Sequence, residues 1–398
     1  MTEPATAAVR PSRPWSAQVL GALLVRSTAR LGLAWIALLA LVAAFAPFLA
    51  NSHPLYMVVD GQARFPAFSH LQAADLTWLA GLVLAVVAWR VRGPAFLRFA
   101  GWFVAVAVIG TIAWASVVPP PLVVYEQYRE LEAAGRVEAV VRAPIPYSAK
   151  DYLRDYGDTG IEAPLRGKDG RTHWFGTEDN GADVAARMIE ATRIALGIGF
   201  IATGIALVIG TIIGGLMGYF SGVVDIIGMR LVEIFEAIPT LFLLLTFVAF
   251  FGRSIYMMMI IIGITSWSGY ARYVRAEFLR LREQDFVQAA IASGLPLTSI
   301  LFRHMLPNGV APLLVAASFG VASAILAETT LSFLGLGLVD DPSWGQLLNQ
   351  AVQSSTFNWW LAVFPGGAIF LTVFAYNLVG EALRDAVDPH TQRSGRVQ

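Results

Sequence analysis

Chemistry in a chain of 398 residues must be carried by nucleophiles, metal ligands and buried charges, and here these are few. There is no cysteine, which excludes disulfides, iron–sulfur clusters and thiolate metal sites. The five histidines, His53, His70, His173, His304 and His390, show none of the His/Glu spacings of a zinc site. A phosphate-binding G-x-x-x-x-G-K-[ST] loop needs a lysine, and only Lys150 and Lys168 exist. Asp169 follows Lys168 and position 162 is Glu, so neither lysine fits. No G-x-S-x-G nucleophile elbow is present. The expectation is a non-enzyme with no catalytic residue, no metal and no cofactor of its own. Basic and acidic residues balance at 28 each, so no basic field points to nucleic acid.

What remains is acidic residues in apolar text and one charged island. Glu233, Glu236 and Glu328 lie in or beside long apolar runs, and ionisable residues there are functional candidates. Two readings of Glu328 stand: it lines a translocation path or gate with Ser332 and Phe333, or it hydrogen-bonds its span to the adjoining loop. The island, 272–308, reads RYVRAEFLRLREQDFVQAAIASGLPLTSILFRHMLPN between two apolar runs. Ala289, Ala290 and Ala292 are strong helix formers with small side chains, so the spacing predicts a short helix that a partner can approach closely. Gly294 suits a positive φ that ends it. Pro307, with Leu306, suits the first turn of the next helix.

The elements that hold these residues are membrane spans. The chain is 56% hydrophobic and 14% charged, against about 25% charged in soluble domains. A bilayer needs about 20 apolar residues per helix. Eight stretches qualify or nearly so: 31–50, 74–89, 99–118, 191–219, 232–251, 255–270, 310–326 and 359–379. The first is read as a retained span, not a cleaved signal peptide. Arginines fall before the first, between the second and third, fourth and fifth, sixth and seventh, and after the eighth. The positive-inside rule then puts both termini in the cytoplasm. Residues 119–190 fall outside as a small periplasmic module. Pro119, Pro120 and Pro121 stop the third span, and 125–141 reads as helix-prone and amphipathic.

Glycines at 210, 214 and 218 share one face of the fourth span and are read as packing sites. Pro239 predicts a kink in the fifth. An Asp225–Arg230 pair is expected at the membrane surface. The triplet Met257–Met259 and the pair Trp359–Trp360 read as lipid or interface contacts.

Several of these segments together resemble one family. Gln288-Ala289-Ala290, Gly294 and Leu306-Pro307 are similar to the EAA loop of ABC-importer permeases, with Gln288 where that pattern has Glu. Residues 173–193 resemble an H-P-x-G-T-D-x-x-G-R-D-x-x-S-R segment of the peptide-permease group. Gly176, Thr177, Gly181 and Asp183 match, and Trp174, Glu178 and Ala182 depart. That turn is read as a cap on the fourth span, through Thr177 or Asp183, or as a substrate contact. Residues 327–348 resemble A-E-x-x-L-S-F-L-G-L-G-x-x-P-x-x-W-G, and 377–390 resemble N-L-x-G-D-x-L-R-D-x-x-D-P. Both point to the C-type permease subunit of dipeptide, oligopeptide and nickel importers.

The resemblance implies an all-α polytopic membrane protein: about eight transmembrane helices, a type I ABC importer permease core and the small periplasmic module. The expected divisions are a cytoplasmic tail at 1–30, three helices over 31–118 (two of them extra to the family), the module at 119–190, a five-helix core at 191–380 and a tail at 381–398. It implies the bacterial inner membrane and uptake of peptides or peptide-like solutes by alternating access. Its partners would be a second homologous permease, two ATP-binding subunits that hold ATP and Mg, a periplasmic solute-binding protein and the lipid bilayer. In it, Gln288, Ala289, Ala290, Gly294, Leu306 and Pro307 would couple to the ATPase. Other classes fit composition alone. A secondary transporter would carry inverted repeats and paired broken helices, and no such internal symmetry is seen. A scaffold or receptor would use the module as its binder, and both leave the 288–307 pattern unexplained.

Overall fold

Asp183 begins the helix on which the others are arranged. In the computed structural model its carboxylate accepts the Ala186 amide (2.7 Å) and caps a 37-residue helix, Val184–Phe220. At 1.5 Å per residue that helix is about 55 Å long, well beyond the ~30 Å of a hydrocarbon core. The structure describes residues 15–91, 95–118, 126–152, 161–166, 172–338, 341–354 and 356–387. The proline stop at 119–121, Asp340, Lys168, His390 and the arginines at 10, 13, 92, 393 and 396 lie outside the described residues.

In chain order the elements are α1 (Trp15–Val25), α2 (Ser27–Leu49), β1 (Tyr56–Val59), β2 (Gln62–Arg64), α3 (Pro66–Ser69), α4 (Ala73–Arg90), α5 (Ala95–Ser116), α6 (Glu126–Ala133) and β3 (Val137–Val141). Then come α7 (Val184–Phe220), α8 (Gly222–Ala237), α9 (Thr240–Phe251), α10 (Ile255–Thr265), α11 (Trp267–Arg282), α12 (Asp285–Ala292) and α13 (Leu297–Ser299). A π-helical stretch, Ile300–Met305, leads into α14 (Leu306–Phe333), α15 (Trp344–Gln353) and α16 (Trp359–Val387).

All eight expected stretches are helical. Among the described residues, five helices are long and apolar enough to cross a membrane, and the bent pair α8–α9 makes six. The bend is 82° and falls at Ile238–Pro239, where the expected kink lies. The sixth stretch is interrupted at Ser266, which separates α10 from α11. Residues 15–25, read as tail, form α1, which packs Val19 and Leu23 on Ala382 and Ala386 of α16.

The glycine face of α7 is a packing surface. A Cβ on Gly214 would run into the Ala271 carbonyl, and one on Gly218 would lie 2.6 Å from Phe278 Cβ and 2.7 Å from the Arg275 carbonyl. The missing side chains let α7 and α11 touch backbone to backbone. Met258 and Met259 face inward, at 0% and 6% exposure, and Gly197 makes room for the Met259 methyl. Trp360 is also buried. These three are core contacts and not the lipid contacts expected, because the helical period turns them toward α7 and the loop before it. Asp225 pairs with Arg275 of α11, and Arg230 pairs with Glu233 at 2.5 Å. The expected Asp225–Arg230 pair is absent because five residues along a helix do not face each other.

A three-stranded antiparallel sheet, ordered β2-β1-β3, sits beyond the α2 C-terminus. Asp60 and Gly61 both take positive φ (51° and 77°), the two-residue turn that matches strand twist. The helix read over 125–141 stops at Ala133, because Gly135 turns left-handed (φ 67°) and the valines after it pair as β3. The segment at 145 joins this sheet to the bundle: Ile145 exchanges hydrogen bonds with Leu49 and Asn51 and packs on Ala185 and Ala186. The bundle thus has a sheet end, with the α7 N-terminus, and a loop end, with α12.

Candidate functional site

At the loop end, α12 is closed by a Schellman motif. The Leu295 amide donates to the Ala290 carbonyl (3.2 Å) and the Gly294 amide to Ile291 (2.9 Å), with Gly294 at φ 70°. Val287 and Ala290 bury the inner face against Phe278, Leu281 and Ile300. Gln288, Ala289 and Gly294 are on the exposed side, beside Phe286, Ile291 and Leu295. Leu306 and Pro307 are in the first turn of α14. Gln288, Ala289 and Ala290 thus lie on α12 and Gly294 at its end, while Leu306 and Pro307 follow after α13 and the π-helical stretch; Gln288 and Ala289 are exposed and Ala290 is buried. Gln288 Nε2 donates to the Arg282 carbonyl (2.8 Å), an orphan acceptor at the end of α11. Arg282 in turn donates to Ser221 (2.8 Å), which joins the loop to the α7–α8 turn.

At the sheet end a buried ionic cluster surrounds the α7 N-terminus. Gly176 (φ 78°) has no room for a Cβ, which would lie 2.7 Å from the Glu162 carbonyl and 2.9 Å from Trp360 Nε1. Thr177 accepts the Glu162 amide through Oγ1 (2.7 Å), and its carbonyl accepts Trp360 Nε1 (3.0 Å). Asp183 is the cap, as one reading expected, and its second oxygen meets His173 Nδ1 at 2.8 Å. Arg187, one turn on, pairs with Glu178 (3.0 Å) and donates to Gln346 of α15 (3.3 Å). Burial pushes the Glu178 carboxyl above the ordinary carboxylate range, against the pull of Arg187. Thr177, Glu178 and Asp183 are at most 1% exposed, so they hold the turn together and present nothing to a solute in this conformation.

Glu328 and Ser332 come together in α14. Ser332 donates to the Glu328 carboxylate at 2.5 Å, and Ser343, which caps α15, lies beside it. Phe333 faces outward, 40% exposed, and is separate from that pair. This buried pair lies where α15 packs on α14, Gly345 meeting Thr329 and Ser332.

Sequence reasoning passed over two arginines. Arg187 closes the 173–187 segment and stands four residues after Asp183, so its position was legible in the same pattern. Arg193, 6% exposed, pairs with Asp75 of α4 (2.6 Å) and donates to the Ala43 carbonyl of α2 (2.7 Å). Its partners are 118 and 150 residues away, and no local spacing signals them. Among the described residues no three His, Asp or Glu side chains are placed to hold a metal ion.

The pattern of the binding-protein-dependent transport system inner membrane component matches residues 210–393. The dipeptide transport system permease protein of Alkalihalophilus pseudofirmus is 38% identical over 235 residues, 59% of this chain and 77% of its own. The oligopeptide transport system permease protein of Haemophilus influenzae is 40% identical over 218 residues, 54% of this chain and 70% of its own. Among solved structures, the inward-facing MetNI methionine ABC transporter covers 51% of this chain and 97% of that one, at 17% identity and a TM-score of 0.42, too distant to bear on the fold. The relatives' identity extends over most of their own length and, with the family match over α7–α16, includes the loop end. The chain belongs to the binding-protein-dependent transport system inner membrane components and is a permease subunit of such an importer.

Proposed function

We propose that the chain moves peptides or peptide-like solutes across the bacterial inner membrane by alternating access, with α12 as the lever through which ATP-binding subunits act. The observation that carries this reading is the loop end: a short helix, closed at Gly294, with its inner face packed and its outer face open and apolar. In this reading the chain hydrolyses nothing itself. A second homologous permease, two ATPases holding ATP and Mg, and a periplasmic solute-binding protein complete the assembly. Peptide uptake is supported by the dipeptide and oligopeptide names of the relatives. The absence of His or acidic clusters in the matched spans argues against nickel.

The loop end faces the cytoplasm in this reading, and the sheet end the periplasm. Arg26, Arg90, Arg98 and Arg384 sit near the ends of α2, α4, α5 and α16, and Arg230, Arg272 and Arg303 lie in α8, α11 and the π-helical stretch around the loop end, a distribution that supports cytoplasmic termini. The eight helical stretches would be eight spans, α10 and part of α11 together forming the sixth. Gln288, Ala289, Ala290, Gly294, Leu306 and Pro307 would transmit the ATPase movement. Glu328 and Ser332, tied to α15, would hold the outer gate, with Phe333 at its lipid side.

The test is co-purification in mild detergent with the native partners, followed by mass spectrometry. Recovery of a second permease and P-loop ATPases, lost on Gly294→Arg, is expected. A chain that elutes alone, or partners indifferent to that substitution, would refute the reading. Gln keeps its hydrogen bond in the loop, so coupling is complete with Gln288. A several-fold rise in transport-coupled ATPase activity on Gln288→Glu would contradict that.

A further inference from the structure

The sheet module holds a cavity of about 460 Å³ that the transport core does not use. That is within the range of small-ligand sites, which are apolar with a few placed polar groups. Beneath it Met57 and Val59 of β1, each 2% exposed, pack against Tyr128 and Leu131. Phe65, Tyr128 and Gln127 form walls, and Arg64 stands at the rim. The Asp60–Gly61 turn fixes the strand register so that Arg64 lies directly opposite Met57. Opposed residues share a sheet face, so the guanidinium rises from the same face as Met57.

The charge at this cavity is one-sided. Among the described residues no carboxylate lines it, while Arg64 does. Asp60, at the turn between β1 and β2, is already taken by Arg136 through both oxygens. Arg64 forms no ion pair among the described residues, which leaves a planar fork of donors free for a carboxylate. Tyr128 is held in place from behind, its hydroxyl 2.9 Å from His53 Nδ1. His53 is stacked on His70 at 4.0 Å.

We propose that this cavity binds a free carboxylate carried on an apolar residue, the C-terminal residue of a short peptide. Arg64 takes the carboxylate, and the exposed Phe65 ring beside it takes the side chain. The proposal rests on the reading that the solute is a peptide, and gives the module a part in receiving it.

The probe is radiolabelled N-acetyl-leucyl-leucine, with its C-terminal amide as control, in equilibrium dialysis against the full chain in nanodiscs. The free acid is expected to bind saturably at millimolar concentration or below. The amide and Arg64→Gln should each bind about ten-fold more weakly, the loss of one charge-assisted contact. Arg64→Lys should fall between, because it keeps charge and loses the fork. Arg64 is exposed, and unchanged circular dichroism will show that the variants are folded. No saturable binding, equal binding of acid and amide, or an indifferent Arg64→Gln overturns the proposal. Peptide import by the reconstituted complex is measured separately. Import without dileucine binding to this chain overturns the cavity alone, and binding without any peptide import overturns the peptide reading.

Discussion

Arg193 is the sharpest test of how the N-terminal helices are held to the transport core. Its guanidinium is 6% exposed and pairs with Asp75, 8% exposed, at 2.6 Å. Glu190 lies 3.4 Å away and is 35% exposed. Breaking a buried pair from one side leaves a charge without compensation and costs about 3–5 kcal/mol. Asp75→Asn leaves Glu190 as a partial counter-ion, so it should cost about 3 kcal/mol. The asparagine oxygen can still accept the Gln72 amide that Asp75 now accepts at 2.7 Å. Arg193→Met leaves Asp75 with only that amide and should cost about 4 kcal/mol. The double variant removes both charges and fills the space with a flexible apolar chain. It loses chiefly the bond to the Ala43 carbonyl, and should cost about 2 kcal/mol. The coupling is then about 5 kcal/mol. The assay is SDS titration in mixed micelles, followed by circular dichroism, for all four proteins. Additivity within about 0.5 kcal/mol would refute the reasoning, since it would mean that the two side chains act independently.

Other outcomes follow from single contacts. Gly214→Ala should cost about 1–3 kcal/mol, because its Cβ meets the Ala271 carbonyl and must force α7 from α11. Gly204→Ala, with nothing within 4 Å, should stabilise by about 0.5–1 kcal/mol, and thermal melts will separate the two. Gly294→Ala meets no neighbour, so its cost is the left-handed backbone alone, about 1 kcal/mol, read from proteolysis of the 283–296 loop. Burial and His70 hold the His53 pKa down from an ordinary 6.5 to about 4. A depressed histidine contributes stability above pH 6.5 that is lost as pH falls from 6.5 to 4. The full shift is worth on the order of 3 kcal/mol, and partial solvation reduces it to roughly 2. Hydrogen exchange of the β1 amides should accelerate over that window, and His53→Gln should flatten the change.

The parts of this molecule legible in sequence are those governed by short-range rules. Apolar run length marked the helices, Gly294 and Pro307 marked the ends of the loop, and the four-residue glycine spacing marked the α7 face. A cap at Thr177 or Asp183 was legible because capping is settled within three residues, and Asp183 is the one that caps α7. The illegible parts depend on partners far along the chain. Arg193 reads as one more arginine until α4 brings Asp75 to it. The module was placed at 119–190, yet two of its three strands come from 56–64, before the second span. Asp60-Gly61 was the available hairpin signal, but strands of four and three residues carry too little alternation to be read beside 20-residue apolar runs. β3 pairs with β1 across about 80 residues, so neither segment alone specifies a sheet. The same non-locality decides Glu328. Its position in an apolar helix suggested a path or a tie, and only the packing of α15 on α14 brings Ser343 near its carboxylate. Glu328 is a buried acid that accepts the Ser332 hydroxyl where α15 packs on α14. Glu328→Gln, which preserves size and one acceptor, should therefore loosen α15 and leave the loop end untouched. Protease protection of α15, compared with that of α12 in the same sample, separates a local tie from a general loss of fold.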